Sequence, residues 1–249
     1  MKTLAIGLIV LFLTGCAVGQ HIDYTRATPA FANTSKGDIA VGAQDRRQYI
    51  ISGQKNQQFV GLMRGGFGNP FDVNTASGSP FAKDVTQVLS RAMQRDGVKV
   101  EALNLAPSAN REEVIGAIRS AKVDSAIVLT INEWKTDAMM SASVYYDLVL
   151  EEFDHDGGLL RHSQSHGTDE LGSLAFSFDP ASFVAKAATG ILTKRIEEMY
   201  SSLTNVDLKP GMDHKNASDR LKELSRLLDQ GMITQIEYDQ KRKEIVDRL

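Results

Sequence analysis

Apolar and polar positions change periodicity several times between residues 36 and 204. Alternation with a period of two predicts strands, and apolar positions three or four residues apart predict amphipathic helices. The predicted strands span 36–43, 98–103, 125–134, 143–153 and 159–167, and the predicted helices begin near 80, 110 and 180. Two of these helices each connect one strand to the next. The pattern therefore predicts a mixed α/β (α+β) fold, a mixed β-sheet packed by about three helices.

Each predicted helix start carries capping chemistry. Ser79 precedes a proline, which favours the first helical position. Asn110 stands three residues before Glu113, the spacing of a capping box. Asp179 precedes the third helix, which we expect to continue to about residue 203.

The segment 53–79 has no clear period. It contains six glycines and one proline, which predicts that it is largely loop. We expect at most one hairpin here, formed by 49–51, just before this segment, and 58–63.

The first residues form a short apolar run that ends at the single cysteine. Lys2 is followed by an uncharged run from Leu4 to Gly15, too short for a span of about 20 residues but suited to a secretory signal. The run closes with the letters LTGC, which resemble the lipobox of bacterial lipoproteins. The resemblance implies a signal peptide over 1–15 and a lipid on Cys16, with acyl chains inserted in a membrane. The alternative is a plain signal peptide.

Residues 16–35 lack apolar periodicity, so we predict a tether between lipid and body. Ala17, not Asp, follows the cysteine, which in the lipoprotein family implies sorting to the outer membrane, facing the periplasm.

The carboxyl-terminal residues form a second periodic segment. Residues 205–218 contain Pro and Gly without periodicity and predict a linker. Residues 219–249 predict two short helices, the second with a capping box formed by Thr234 and Glu237. The predicted apolar face consists of Leu221, Leu224, Leu227, Leu228, Ile233, Tyr238 and Ile245.

This tail, with its sequence LKELSRLLDQGMITQIEYDQKRKEI, resembles the SHOCT family of short carboxyl-terminal helical hairpins. The resemblance implies a role in oligomerisation or partner binding. A segment of this size has little core of its own, so its apolar face needs a surface to cover it. That surface belongs either to a partner or second copy, or to the protein's own body; the linker favours the first.

The body resembles YajG-type envelope lipoproteins and, more loosely, the amino-terminal domain of TolB. The resemblance covers about 36–170 and rests on the order of elements and on two stretches of sequence. The first stretch is FAKDVTQVLSRAMQRDGVKV. The second is DSAIVLTINEW, which is followed by a hairpin ending in EEFDHDGGLLRHSQ. It implies an accessory role in the cell envelope.

Composition excludes some classes of function. The chain has 28 Lys and Arg against 31 Asp and Glu, a net charge of −3, which lacks the basic excess of nucleic-acid-binding proteins. One cysteine excludes an internal disulfide.

Catalytic motifs are absent from the sequence. There is no G-x-S-x-G, no phosphate-binding loop and no H-E-x-x-H pair. His162 and His166 fall on a predicted strand, where four residues span about 13 Å, so we expect no metal site there. We expect an ion pair within Asp45-Arg46-Arg47 in preference to a bound anion, and a buried Trp134.

These features predict a lipid-anchored envelope protein with a scaffolding or accessory role, without enzymatic activity, metal or cofactor. The alternative is a periplasmic ligand- or glycan-binding module that uses 53–79 as its rim. A hydrolase is the least favoured, because a nucleophile–base set is missing from the sequence.

Overall fold

The computed structural model of the protein describes residues 20–31, 37–94, 99–175 and 177–205, together with 221, 224, 225, 238 and 242. The chain divides into two units, Met1–Asn205 and Val206–Leu249. The first unit is a mixed α/β body, which confirms the predicted fold class.

Nine strands and four α-helices are present in the described part of the first unit. The strands are β1 (His21–Ile22), β2 (Ile39–Asp45), β3 (Phe59–Arg64), β4 (Pro70–Thr75), β5 (Val100–Ala102), β6 (Ser125–Ala138), β7 (Ser141–Asp154), β8 (Leu159–Ser173) and β9 (Thr204–Asn205). The helices are α1 (Gln48–Ile51), α2 (Phe81–Gln94), α3 (Arg111–Ala121) and α4 (Pro180–Ser201), and a 3-10 helix covers Tyr24–Arg26.

All strands belong to one sheet in which β6 is central. The main path runs β1-β4-β3-β6-β7-β8-β9, and β2 lies between β5 and β6. The first half of β6 pairs with β2 and its last residues pair with β3, both in parallel. Strands β6, β7 and β8 form a long antiparallel meander.

Helices cover both faces of the sheet. Along β2, Ile39 and Val41 join the apolar core formed with α2 and α4, whereas Ala40 joins the core formed with α3. This split follows from the alternation of side chains along a strand. Two of the predicted caps are confirmed: Asn110 and Glu113 form the reciprocal capping box of α3, and the Asp179 side chain caps α4.

The prediction that 53–79 is largely loop misses one strand. Strand β3 confirms the strand predicted over 58–63, but its hairpin partner is β4, which was not predicted, and residues 48–51 are helical. One of the six glycines, Gly61, lies in a strand. A Cβ at this position would lie 1.9 Å from Thr136 Oγ1, so this glycine permits the close approach of β3 to β6.

The tether predicted over 16–35 is wrong for residues 20–31, which pack on the body. Strand β1 pairs with β4, and the Tyr24 side chain is fully buried. The Phe31 ring lies 4.2 Å from the Tyr200 ring of α4, centroid to centroid. These contacts are made by single apolar residues in a segment with little regular structure, so the periodicity of the sequence did not predict them.

Candidate functional site

The centre of the body holds a buried ion pair at the end of β2. Arg47 and Asp45 are 0% and 2% exposed, and the guanidinium donates to both carboxylate oxygens, with 2.8 Å from Nε to Oδ1 and 2.6 Å from Nη2 to Oδ2. Nη1 donates to the carbonyl oxygens of Phe59 and Trp134, both at 2.8 Å. The ion pair expected in this tripeptide is therefore present, and Arg47 joins β2, β3 and β6.

Burial alone would lower the pKa of Arg47 by penalising its charge. The hydrogen bonds and charge of Asp45 outweigh this effect, so the pKa of Arg47 lies above its ordinary value. The guanidinium is thus a permanent cation whose partners lie within the protein.

An aromatic cluster lies beside this ion pair. Trp134 is fully buried, as predicted, and its indole N–H donates to the Tyr24 hydroxyl oxygen at 2.8 Å. The Phe81 ring lies 5.8 Å from Trp134 and 4.8 Å from Tyr24. Burial raises the pKa of Tyr24 above its ordinary value, which keeps the hydroxyl protonated.

A groove of about 530 Å³ opens between α2 and the carboxyl ends of β2 and β5. Its wall along α2 presents Lys83, Gln87 and Ser90, and its opposite wall presents Leu103 and Leu105. Ligands of α/β sheets bind outside the carboxyl ends of parallel strands, and small-molecule sites measure about 300–1,000 Å³. The groove therefore has the position and size of a ligand site.

The histidines are not brought together into a metal centre. His162 and His166 are exposed along β8. Among the described residues, no group of three or more His, Cys, Asp and Glu side chains could hold a metal ion. The Asp154 carboxylate instead accepts the backbone N–H groups of Asp156 and Gly158 and closes the β7–β8 turn.

A cluster of exposed apolar side chains lies at one end of the sheet. Met63 of β3 pairs with Ala138 of β6, so the turns β3–β4 and β6–β7 are neighbours. The Leu174 N–H donates to the Met140 carbonyl oxygen at 2.8 Å, which brings the end of β8 to the same place. We define the apolar end as the five exposed residues of these turns and the start of α4: Phe67, Met139, Met140, Phe178 and Phe183.

Sequence reasoning missed the apolar end because its members come from three separate connections. Phe67 stands in the run Gly65-Gly66-Phe67-Gly68 and is 99% exposed. An aromatic residue enclosed by glycines is the signal that could have identified it.

The predicted sites in the tail are described in part. Leu221, Leu224 and Tyr238 are half-buried. Ser225 Oγ lies 3.3 Å from the Tyr238 hydroxyl oxygen, which links the two predicted helices of the second unit. Cys16, Leu227, Leu228, Ile233 and Ile245, and most of the linker 205–218, lie outside the described residues.

Within the described part of the chain, no helix combines the length and the apolar character that crossing a bilayer requires.

Comparison with protein families matches residues 219–245 to SHOCT, the short C-terminal domain, which confirms the resemblance of the tail. Comparison with curated proteins gives no match.

Three solved structures illustrate the similarity of the body to other proteins. A protein of family DUF330 from Xanthomonas campestris is 14% identical over 74% of this chain and 93% of its own, with a TM-score of 0.41. The PelC dodecamer from Paraburkholderia phytofirmans is 12% identical over 68% and 91%, with a TM-score of 0.34. Lipoprotein GNA1162 from Neisseria meningitidis is 11% identical over 65% and 98%, with a TM-score of 0.26.

Proposed function

We propose that this chain is a lipid-anchored protein of the cell envelope that acts by binding other proteins and catalyses no reaction. The observation that carries the proposal is the SHOCT match at 219–245, which falls within a unit separate from the body. The lipobox-like LTGC sequence supplies the anchor on Cys16, and an anchor in the outer membrane would hold the body in the periplasm. The relation of the body to YajG-type lipoproteins stays a prediction.

The buried polar groups of the body support a structural role. The Arg47 guanidinium donates hydrogen bonds to Asp45 and to two backbone carbonyl oxygens. Asp84, also buried, accepts from Ser77 Oγ at 2.8 Å. Groups already paired in this way fix strands and helices in place, whereas an acid–base catalyst must face its substrate.

The tail supports the binding role. A hydrogen-bonded contact between Ser225 and Tyr238 joins the two predicted helices, and Leu221 and Leu224 are only half-buried. We propose that Leu221, Leu224, Leu227, Leu228, Ile233, Tyr238 and Ile245 form a face that a protein partner or a second copy covers.

The binding role is tested by comparing the full chain with a chain that ends at Asn205. The molar mass is measured by light scattering, and the partners in cells are identified by crosslinking and mass spectrometry. We expect the truncated chain and a Leu221→Asp/Leu224→Asp variant to lose the same oligomer or crosslinked partner. Arg242→Ala, at an exposed position, is the matched control and should keep it. Unchanged mass and unchanged crosslinks after truncation would contradict the role.

The anchor is tested by mass spectrometry of the mature protein and by membrane fractionation. We expect acyl chains on Cys16 and release of the Cys16→Ser variant from membranes. An unmodified thiol would contradict the anchor.

The groove beside α2 favours a second candidate function, the binding of a glycan in the periplasm. The rim predicted at 53–79 contributes only Gln57 among the groove's described lining, and α2 contributes more of it. The chain ending at Asn205 is tested for sedimentation with isolated peptidoglycan. Gln87→Trp, which would fill the groove, should abolish co-sedimentation, and binding that survives this variant would place the ligand elsewhere.

A further inference from the structure

The five residues of the apolar end occupy one edge of the body in a row. Successive strands from β3 through β6 and β7 to β8 are about 4.8 Å apart, so the row is roughly 14 Å wide. Phe67, Phe178 and Met140 are 99%, 106% and 69% exposed. Exposed aromatic and methionine side chains gathered at one place mark a surface that is covered in use.

One ion pair lies close to this row. Arg64, the last residue of β3, donates to both carboxylate oxygens of Asp137, at 2.8 Å from Nε and 2.7 Å from Nη2. A bidentate pair is easier to bring against a surface of low polarity than two separate charges. Glu170 and Asp179 are exposed at the same end and limit the depth to which it can enter an apolar phase.

The described chain begins beside β4. Strand β4 begins at the apolar end with Pro70, and β1 runs parallel to it with His21 opposite Asn74. The Gln20 carbonyl oxygen accepts the Asn74 N–H at 3.1 Å. Gln20 therefore lies four β4 residues away from the apolar end.

Chain length limits the distance between the anchor and this end. Four residues separate Cys16 from Gln20 and can span at most about 14 Å. The part of β4 from Asn74 back to Pro70 is roughly 13 Å long. A lipid on Cys16 therefore holds this side of the body within reach of the bilayer surface.

We propose that the apolar end is the surface on which the anchored body lies against the phospholipid bilayer, with Phe67 and Met140 inserted among the headgroups. The inference rests on the proposed anchor at Cys16. Amphipathic and aromatic side chains are favourable in this interfacial region, and an acyl anchor adds the effective concentration that a small patch needs.

The contact is tested with the lipidated full chain on vesicles of phosphatidylethanolamine and phosphatidylglycerol. A polarity-sensitive fluorophore is attached to a cysteine introduced by Gly66→Cys or by Met140→Cys. Apart from its chain neighbours, nothing lies within 4 Å of a Cβ at position 66, and Phe67 itself is not substituted. Asp156→Cys is the control, because this turn closes the opposite end of the sheet.

We expect blue-shifted emission and quenching by brominated lipid at positions 66 and 140, and emission typical of water at 156. Equal, water-like emission at all three positions in protein that floats with the vesicles would overturn the proposed bilayer contact but not the anchor on Cys16. Protein that does not float, and whose Cys16 takes the fluorophore, would show that the anchor itself is wrong. A photocrosslinker at position 67 that captures one discrete protein in cells would also overturn the assignment to lipid.

A second measurement separates the apolar end from other exposed apolar residues. In the lipidated full chain labelled at Gly66→Cys, we expect Phe67→Ser/Met140→Ser to weaken the contact of the body with the vesicle roughly tenfold, measured as lower quenching by brominated lipid. Ile51→Ser/Leu160→Ser is the control, because these side chains are also exposed but lie outside the apolar end. An equal loss in both double variants would overturn the proposal.

Discussion

Trp134 and Tyr24 join the sheet to the amino-terminal segment, with the indole N–H donating to the hydroxyl oxygen at 2.8 Å and the rings meeting edge-on at 5.8 Å. Both side chains are fully buried. Because Tyr24 stands only eight residues after Cys16, this contact also limits how far a lipid on Cys16 can lie from the body.

Removing the Tyr24 hydroxyl should therefore cost stability. In Tyr24→Phe the Trp134 N–H loses its acceptor, and an unpaired buried donor costs about 1–3 kcal/mol in the free energy of unfolding. Urea unfolding followed by fluorescence measures this, since Trp134 is the single tryptophan. Tyr145→Phe is the control, because Tyr145 is 40% exposed, and it should change stability by less than about 0.5 kcal/mol. Equal effects of the two variants would contradict the inferred role of the hydroxyl.

Breaking the buried ion pair should have a larger effect. Arg47→Met leaves the Asp45 carboxylate buried without its cation, which costs about 3–5 kcal/mol. The double variant Asp45→Leu/Arg47→Met removes both charges and should recover part of this loss. Lys55→Met, which breaks a half-exposed pair with Asp72, should cost at most about 1 kcal/mol. A double variant no more stable than Arg47→Met would show that the carbonyl contacts, and not the charge of Asp45, dominate.

Local signals explain which elements could be predicted from the sequence. Helices α3 and α4 begin where their capping residues Asn110 and Asp179 stand, because a cap is a contact between residues close in sequence. The pairing of β3 with β6 joins segments far apart in sequence, so the sequence predicted a strand over 58–63 but not its neighbour in the sheet.

The same distinction applies to the candidate sites. The sequence predicted an ion pair in the tripeptide Asp45-Arg46-Arg47, and the structure shows that Arg47 forms it with Asp45. It did not predict that Arg47 also binds the Trp134 carbonyl, 87 residues away. The apolar end could not be predicted for the same reason, since only the folded sheet brings the turn of Phe67 beside that of Met140.

Gly61 gives a direct test of the approach of β3 to β6. Alanine there would place its Cβ 1.9 Å from Thr136 Oγ1 and 2.6 Å from the Thr136 carbonyl oxygen, so the strands must separate. We expect Gly61→Ala to lower the free energy of unfolding by about 1–3 kcal/mol. Gly66→Ala is the matched control, since nothing lies within 4 Å of its Cβ, and it should stay within about 0.5 kcal/mol. A neutral Gly61→Ala would mean that the two strands are not held this closely.

Asp84 makes the stability of the body depend on pH. Burial raises the pKa of this carboxyl above its ordinary value of 3.8, Ser77 lowers it, and the charge of Asp23 raises it. The folded state therefore binds the Asp84 proton more tightly than the unfolded state does. Its contribution to stability is fully present below pH 3.8 and is lost as pH rises through the folded-state pKa.

Asp84→Asn keeps the shape of the side chain and removes this titration. Relative to the unsubstituted protein, we expect the variant to gain stability as pH rises from 3 to 7, measured by urea unfolding at each pH. Ser77→Ala removes the hydroxyl that stabilises the carboxylate, so it should enlarge the pH-dependent loss in a chain that keeps Asp84. The contradicting outcome is a difference in the free energy of unfolding between Asp84→Asn and the unsubstituted protein that is the same at every pH. It would show that the hydrogen bonds from Ser77 compensate fully for the hydration that the Asp84 carboxylate loses on burial.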